Sequence, residues 1–243
     1  MKKICVIYGG PRKKNTYGAV QIVKEELSRQ GEVEFEEFFL PQAMPKLCNG
    51  CFACILKDPE LCPHREYIAP VERAMREADG LLISTPVYVM DVTAHLKALL
   101  DHFGFCFLIH RPFPEMFWKS ALVVSTTAGA GTGDAIATVR RSFENWGISR
   151  VFSCGFAMRA KSWQEMPARR QESIKKNLEK SADRFYRSLG KKPRPSLKFQ
   201  AMFRVMREID KKWPDGHIDK EYWRRHGWLD GKYPWKQKPE SLE

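Results

Sequence analysis

Between residues 3 and 156, short β-branched apolar runs alternate with longer stretches whose apolar residues recur every three or four positions. The first pattern predicts buried strands and the second amphipathic helices. Strands are predicted at 3–8, 33–39, 80–84, 121–125 and 150–156, with helices at 16–29, 70–78, 93–105 and 134–146 between them. This β-α rhythm implies an α/β fold: five parallel strands, doubly wound in the order 2-1-3-4-5, with helices on both faces. Sheets of this kind bind ligands beyond the carboxyl ends of their strands, where the winding direction switches. The chemistry is therefore expected just after Tyr8, Ser84 and Ser125.

Each of those places has an unusual loop. Gly9-Gly10-Pro11-Arg12-Lys13-Lys14-Asn15-Thr16 follows the first strand. Its glycines permit close backbone approach, and the free N–H groups at a helix start favour an anion. Gly10, Arg12, Asn15 and Thr16 are the candidate donors to a terminal phosphate. The segment has neither the Gly-Lys-Ser/Thr of a Walker loop nor a G-x-G-x-x-G fingerprint. After the third strand comes Thr85-Pro86-Val87-Tyr88-Val89-Met90, where Tyr88 offers a flat aromatic surface. After the fourth, Thr126-Thr127-Ala128-Gly129-Ala130-Gly131-Thr132-Gly133-Asp134 forms a glycine-rich approach loop, with Thr132 or Asp134 expected to cap the next helix.

Four of the seven cysteines fall within fifteen residues, as Cys48, Cys51, Cys54 and Cys62. Three thiols at two-residue gaps and a fourth before proline resemble the spacing of iron–sulfur loops. Zinc ligands more often pair as two separated hooks, and free thiols lining a loop are a third reading. Cys5, Cys106 and Cys154 sit in apolar stretches and are expected to be buried small residues.

Charge divides the chain. Residues 1–158 hold 18 Lys and Arg against 17 Asp and Glu, whereas residues 159–243 hold 23 against 12 and five of the seven tryptophans. The last helix of the domain is expected within 165–189, and a basic amphipathic helix at 196–213 with Phe199, Met202, Phe203, Met206, Ile209 and Trp213 on its apolar stripe. Docking of that stripe on the protein's own domain or a partner subunit is favoured over an anionic membrane surface. The aromatics Tyr222, Trp223, Trp228, Tyr233 and Trp235 suit an arm laid over a neighbour. No nucleic-acid motif accompanies the charge, and none is expected as partner. No apolar run approaches the ~20 residues of a membrane span, and the start lacks a secretory leader, so a cytoplasmic location is expected.

On G-G-P-R-K-K-N-T, C-N-G-C-F-A-C, T-P-V-Y with its following L-K, and T-T-A-G-A-G, residues 1–158 resemble the NAD(P)H-dependent FMN reductases of the flavodoxin-like superfamily, specifically their iron–sulfur flavoprotein branch. The resemblance implies an FMN-dependent oxidoreductase, with Gly10, Arg12, Asn15 and Thr16 at the phosphate. Pro86, Val87, Tyr88 and Val89 would border one side of the isoalloxazine ring, and Thr127, Ala128 and Gly129 the other. Cys48, Cys51, Cys54 and Cys62 would hold one four-iron, four-sulfur cluster. NAD(P)H or a ferredoxin-like donor would supply electrons to a small acceptor, in a homodimer or homotetramer. No catalytic acid or base is implied, and His110-Arg111-Pro112 is read as a solvated loop. The implied division is a flavodoxin-like FMN-binding domain at 1–190, with a cysteine-rich insert at 45–65, and a helical extension at 191–243. The rival reading is a non-enzymatic cysteine-based redox or metal-binding module.

Overall fold

A computed structural model describes residues 1–238; the last five residues of the expected extension lie outside it. The five strands are β1 (Lys2–Tyr8), β2 (Val33–Phe39), β3 (Gly80–Pro86), β4 (Ser120–Thr127) and β5 (Arg150–Ala157). All neighbours pair in parallel, as the alternation of patterns requires, in the expected order β2-β1-β3-β4-β5. The central strands β1, β3 and β4 are buried on both faces, which is why they read as continuous apolar runs.

The helices are α1 (Asn15–Gln30), α2 (Leu40–Ala43), α3 (Ala53–Leu56), α4 (Arg65–Glu77), α5 (Ala94–His102), α6 (Thr132–Asn145), α7 (Ala168–Tyr186), α8 (Leu197–Lys212) and α9 (Ile218–Arg225). Successive strand residues face opposite sides, so each face of the sheet has its own core. Ile4, Val6, Leu82, Leu122 and Val124 pack with Val20, Val23 and Leu27 of α1 and with Leu178 and Phe185 of α7. Cys5, Ile7, Leu81, Ile83 and Val123 pack on the other face with Met75 of α4, Leu99 of α5 and Phe143 of α6. Cys5, Cys106 and Cys154 are buried, as their apolar settings imply.

Helix α4 begins five residues before its expected start, with Pro70 inside it. Pro70 falls at the sixth helical position, where its missing N–H costs one ladder bond near the amino end. The helix expected at 93–105 ends at His102, and the chain continues as a 3-10 turn, Gly104–Cys106. Neither Thr132 nor Asp134 caps α6: Gly131 holds the N-cap position at φ +94° with no side-chain cap.

The basic tail, expected as an arm laid over a neighbour, packs on its own chain. Phe203 of α8, Trp223 of α9, Trp228 and Trp235 close with Leu108 and Phe117 into a third core. Phe203 is wholly buried, with ring centroids 4.7 Å from Trp223 and 5.0 Å from Trp235. The predicted stripe splits: Phe199, Phe203 and Met206 dock, while Met202, Ile209 and Trp213 remain exposed. Arg207, one of the helix's basic residues, is buried against Phe203 and Tyr233. Tail aromatics need a surface to cover, and the turn at 107–118 supplies one within the same chain. Among the described residues no helix is long and apolar enough to cross a membrane.

Candidate functional site

The carboxyl ends of β1, β3 and β4 open into a cleft of about 740 Å³, within the size range of small-molecule sites. Gly10, Arg12, Asn15 and Thr16 line it from the first loop, Pro86, Val87 and Tyr88 from the second, and Thr127 and Ala128 from the third. Val89 and Gly129 lie outside the lining. Val89 points into solvent at the tip of a tight turn, where Tyr88 and Asp91 exchange backbone hydrogen bonds at 2.8 and 3.1 Å. Val89 and Met90 both have positive φ, +46° and +67°. A β-branched residue in that region is strained, and such strain concentrates at sites that bind or switch.

Local sequence explains the geometry. Gly9 passes beneath β3, where a Cβ would lie 2.9 Å from the Ser84 carbonyl oxygen. Its N–H donates to that oxygen at 2.7 Å, and its own carbonyl accepts from the Thr93 hydroxyl that caps α5. The Thr16 hydroxyl meets Thr126 Oγ1 at 2.5 Å, joining the first loop to the third. Val87 N donates to Thr126 O at 2.8 Å, joining the second to the third. The Asn15 amide, expected on a phosphate, instead donates to Lys161 O at 3.1 Å.

Electrostatically the cleft is one-sided. Arg12, Lys14, Arg159 and Lys161 line it, and among the described residues no carboxylate does. Lys14, at the N-cap of α1, makes no side-chain cap, so the first-turn N–H groups are left facing outward with their positive end of the helix dipole. Ser84 is buried on the floor of the cleft and its Oγ has no hydrogen-bond partner among the described residues. A ligand with an anionic end and a polar, flat body suits these groups. Tyr8 stacks on Phe39 with centroids 4.4 Å apart, and its hydroxyl donates to Glu37 at 2.6 Å. Burial first, and then the Glu37 carboxylate, push the Tyr8 phenol well up, so it stays neutral. Ser84, Thr126, Arg159 and Lys161 escaped sequence reasoning, although Arg159 and Lys161 directly follow a strand end, where the same winding rule applies.

The cysteine segment lies on the other side of β1, packed by Cys54, Ile55 and Cys62 against the core beneath α4 and α5. All four of its thiols are free. Burial raises the Cys54 thiol, and repulsion from Cys62, Cys48 and Cys51 raises it further. Burial likewise raises Cys62, against a hydrogen bond from the His64 backbone, and Cys51 and Cys48 add to the rise. The tight grouping is different: Cys62 Sγ and the ring nitrogens of His64 and His102 all lie within 4.8 Å. That is the scale of a single ion, whereas a four-iron cluster spaces its ligand sulfurs more widely. His64 Nδ1 and His102 Nε2 are 2.9 Å apart, and His102 Nδ1 donates to Ala98 O at 2.7 Å. Burial lowers the pKa of His102.

His110-Arg111-Pro112 is not a solvated loop. Arg111 is 4% exposed, with its guanidinium shared between Asp219 and the carbonyls of Cys54 and Ile55. His64, His102 and Asp219 had no motif to announce them.

Residues 2–162 match the family model described as NADPH-dependent FMN reductase. Among curated proteins, an iron-sulfur flavoprotein of Archaeoglobus fulgidus is 36% identical over 99 residues, covering 41% of this chain and 47% of that one. An iron-sulfur flavoprotein of Methanocaldococcus jannaschii is 27% identical over 199 residues, covering 78% and 98% respectively. The chain thus spans about half the length of the first and nearly all of the second. Among solved structures, an apo NADH:FMN oxidoreductase superposes with a TM-score of 0.58 at 20% identity, over 79% of this chain and 92% of that one. At that identity the likeness is one of fold.

Proposed function

Because this chain belongs to the NADPH-dependent FMN reductase family, we propose that it is an FMN-dependent oxidoreductase that passes electrons from NAD(P)H to a small acceptor such as a flavin or quinone. The observation that carries the reading is the cleft itself, lined by four cations and floored by a buried serine hydroxyl that has no partner among the described residues. In this reading the first-turn N–H groups of α1, with Arg12 and Thr16, hold the phosphate. Gly10 lets the backbone come close, and Asn15 orders the loop through Lys161. Pro86, Val87 and Tyr88 border one side of the ring, and Thr127 and Ala128 the other. Ser84 Oγ supplies a buried hydrogen bond, worth about 1 kcal/mol or more for a polar group otherwise left unsatisfied. Bound FMN supplies the hydride and single-electron chemistry, and the protein supplies position and field.

Four cations exceed the need of one terminal phosphate. Arg159 and Lys161, beyond β5, suit the phosphates of a nicotinamide nucleotide, and NADPH above NADH. The exposed apolar tip at Tyr88, Val89 and Met90 supports a homodimer or homotetramer that covers the cleft mouth. Cys48, Cys51, Cys54 and Cys62 are assigned to one four-iron, four-sulfur cluster. The C-x2-C-x2-C run followed by a fourth cysteine before proline, with all four thiols free, supports it, and a ferredoxin-like partner fits the resulting one-electron route. FMN titration, followed by anaerobic mixing of the loaded protein with NADPH, tests the reading. Bleaching of the flavin band supports it; a protein that binds no FMN, or whose FMN NADPH leaves oxidised, overturns it.

One observation favours a second reading of the cysteine segment, as a single-ion site: the tight Cys62–His64–His102 group, whose buried histidine is oriented by a backbone carbonyl as metal ligands are. Metal analysis separates the two, with about four irons and matching sulfide for the cluster, or one zinc without sulfide.

A further inference from the structure

Arg111 ties the two ends of the chain together at the cysteine segment. Its Nη2 donates to Cys54 O and, at 3.2 Å, to Ile55 O, while its Nη1 donates to Asp219 Oδ1. The two carbonyls belong to the one-turn helix α3, whose last acceptors have no helical partner, and a cation there also meets the negative end of the dipole. Asp219 is 5% exposed in the first turn of α9, and its second oxygen pairs with His110 Nδ1 at 2.9 Å. From the same helix, Trp223 Nε1 donates to His110 O at 2.7 Å and the Tyr222 hydroxyl to Pro112 O at 3.0 Å. Helix α9 therefore fixes residues 110–112, and Arg111 fixes the backbone of Cys54.

We propose that Arg111 and Asp219 are positioning residues for the cluster at Cys48, Cys51, Cys54 and Cys62, which makes the C-terminal extension part of the redox site. The inference rests on the cluster reading above. A guanidinium keeps its proton when buried, so it is a permanent positive charge on the carbonyl of a ligand residue. Reduction adds one electron, and hence negative charge, to the centre, and a nearby fixed cation favours that state; surrounding hydrogen bonds and charge are among the levers that set such potentials. Burying the cation alone would be costly. Asp219 offsets its desolvation and orients the planar fork so that the other nitrogen meets both carbonyls.

The test compares Arg111→Met, Arg111→Lys, Asp219→Asn and, as a control that loses only the Pro112 bond, Tyr222→Phe. Iron and sulfide are assayed on each protein. Amide hydrogen exchange across residues 53–57 is measured on the iron-free proteins, and midpoint potentials on the loaded ones by titration with dithionite. Asp219→Asn and Arg111→Met are expected to speed exchange at 53–57 by about tenfold or more while Tyr222→Phe leaves it unchanged. Arg111→Met is expected to move the potential negative, and Arg111→Lys to restore it toward the wild-type value. Unchanged exchange in both Asp219→Asn and Arg111→Met would overturn the clamp. An unchanged potential in Arg111→Met would overturn its electrostatic role. Wild-type protein without iron would overturn the cluster reading instead, and the exchange comparison would still decide the clamp.

Discussion

Raising the pH through neutrality should loosen the C-terminal extension, because Asp210 is buried where its charge is unwelcome. The side chain lies on α8, 2% exposed, and its Oδ2 has no hydrogen-bond partner among the described residues. Burial first, and then the neighbouring Asp219 carboxylate, raise its pKa from 3.8 to about 7, with His110 opposing them. The folded protein thus keeps a proton that the unfolded chain gives up near pH 4. The stabilisation is full below about pH 4, declines as pH rises and is gone above about pH 7. At ~1.4 kcal/mol per pH unit, the span from 3.8 to about 7 is worth about 4 kcal/mol, of which about 3 kcal/mol is lost between pH 5 and pH 8. Trp213, Trp223, Trp228 and Trp235 surround this region, so denaturant unfolding followed by tryptophan fluorescence reads it directly. His102 and His226, whose pKa values burial lowers, oppose this trend, so the Asp210 contribution is read as the difference in pH 5-to-8 slope between wild type and Asp210→Asn, about that amount. Asp210→Asn, which cannot ionise, should lack this contribution and be the more stable protein at pH 8. An equal pH slope in both proteins would refute the reasoning.

Phe203→Ala removes the centre of the tail's aromatic core and should cost about 3–5 kcal/mol, seen as a lower denaturation midpoint; a loss below 1 kcal/mol would mean the tail is loosely packed. Gly131→Ala forces a Cβ to 2.8 Å from Val87 Cγ1 at φ +94° and should cost about 1–3 kcal/mol while weakening FMN binding, read by thermal melting and flavin titration. Arg12→Ala should raise the FMN dissociation constant about tenfold to a hundredfold and flatten its salt dependence, measured by quenching of flavin fluorescence.

The doubly wound sheet was legible because β-branched runs and helical stripes each keep a fixed period. The strand order is the flavodoxin-type one that the five-strand rhythm suited, and β2 was placed to the residue. The three ligand-facing loops were legible for the same reason, since topology alone brings strand ends together. Side-chain direction within them was not: Asn15 turns to Lys161, and Val89 turns to solvent because a tight turn after Tyr88 reverses the chain. The Arg111–Asp219 pair spans 108 positions, and the His64–His102 pair 38. Contacts at such separations leave no periodic trace, and an isolated His-Arg reads the same whether buried or solvated. The tail's amphipathic stripe was visible, yet periodicity shows only that a face is apolar, not which surface covers it.

The most direct test is the cofactor content of protein purified without oxygen, by absorption spectrum with iron and acid-labile sulfide assayed on the same sample. The account predicts about one FMN per chain, about four irons with matching sulfide, and a broad visible shoulder that bleaches with dithionite. A colourless protein that also takes up no added FMN would contradict it.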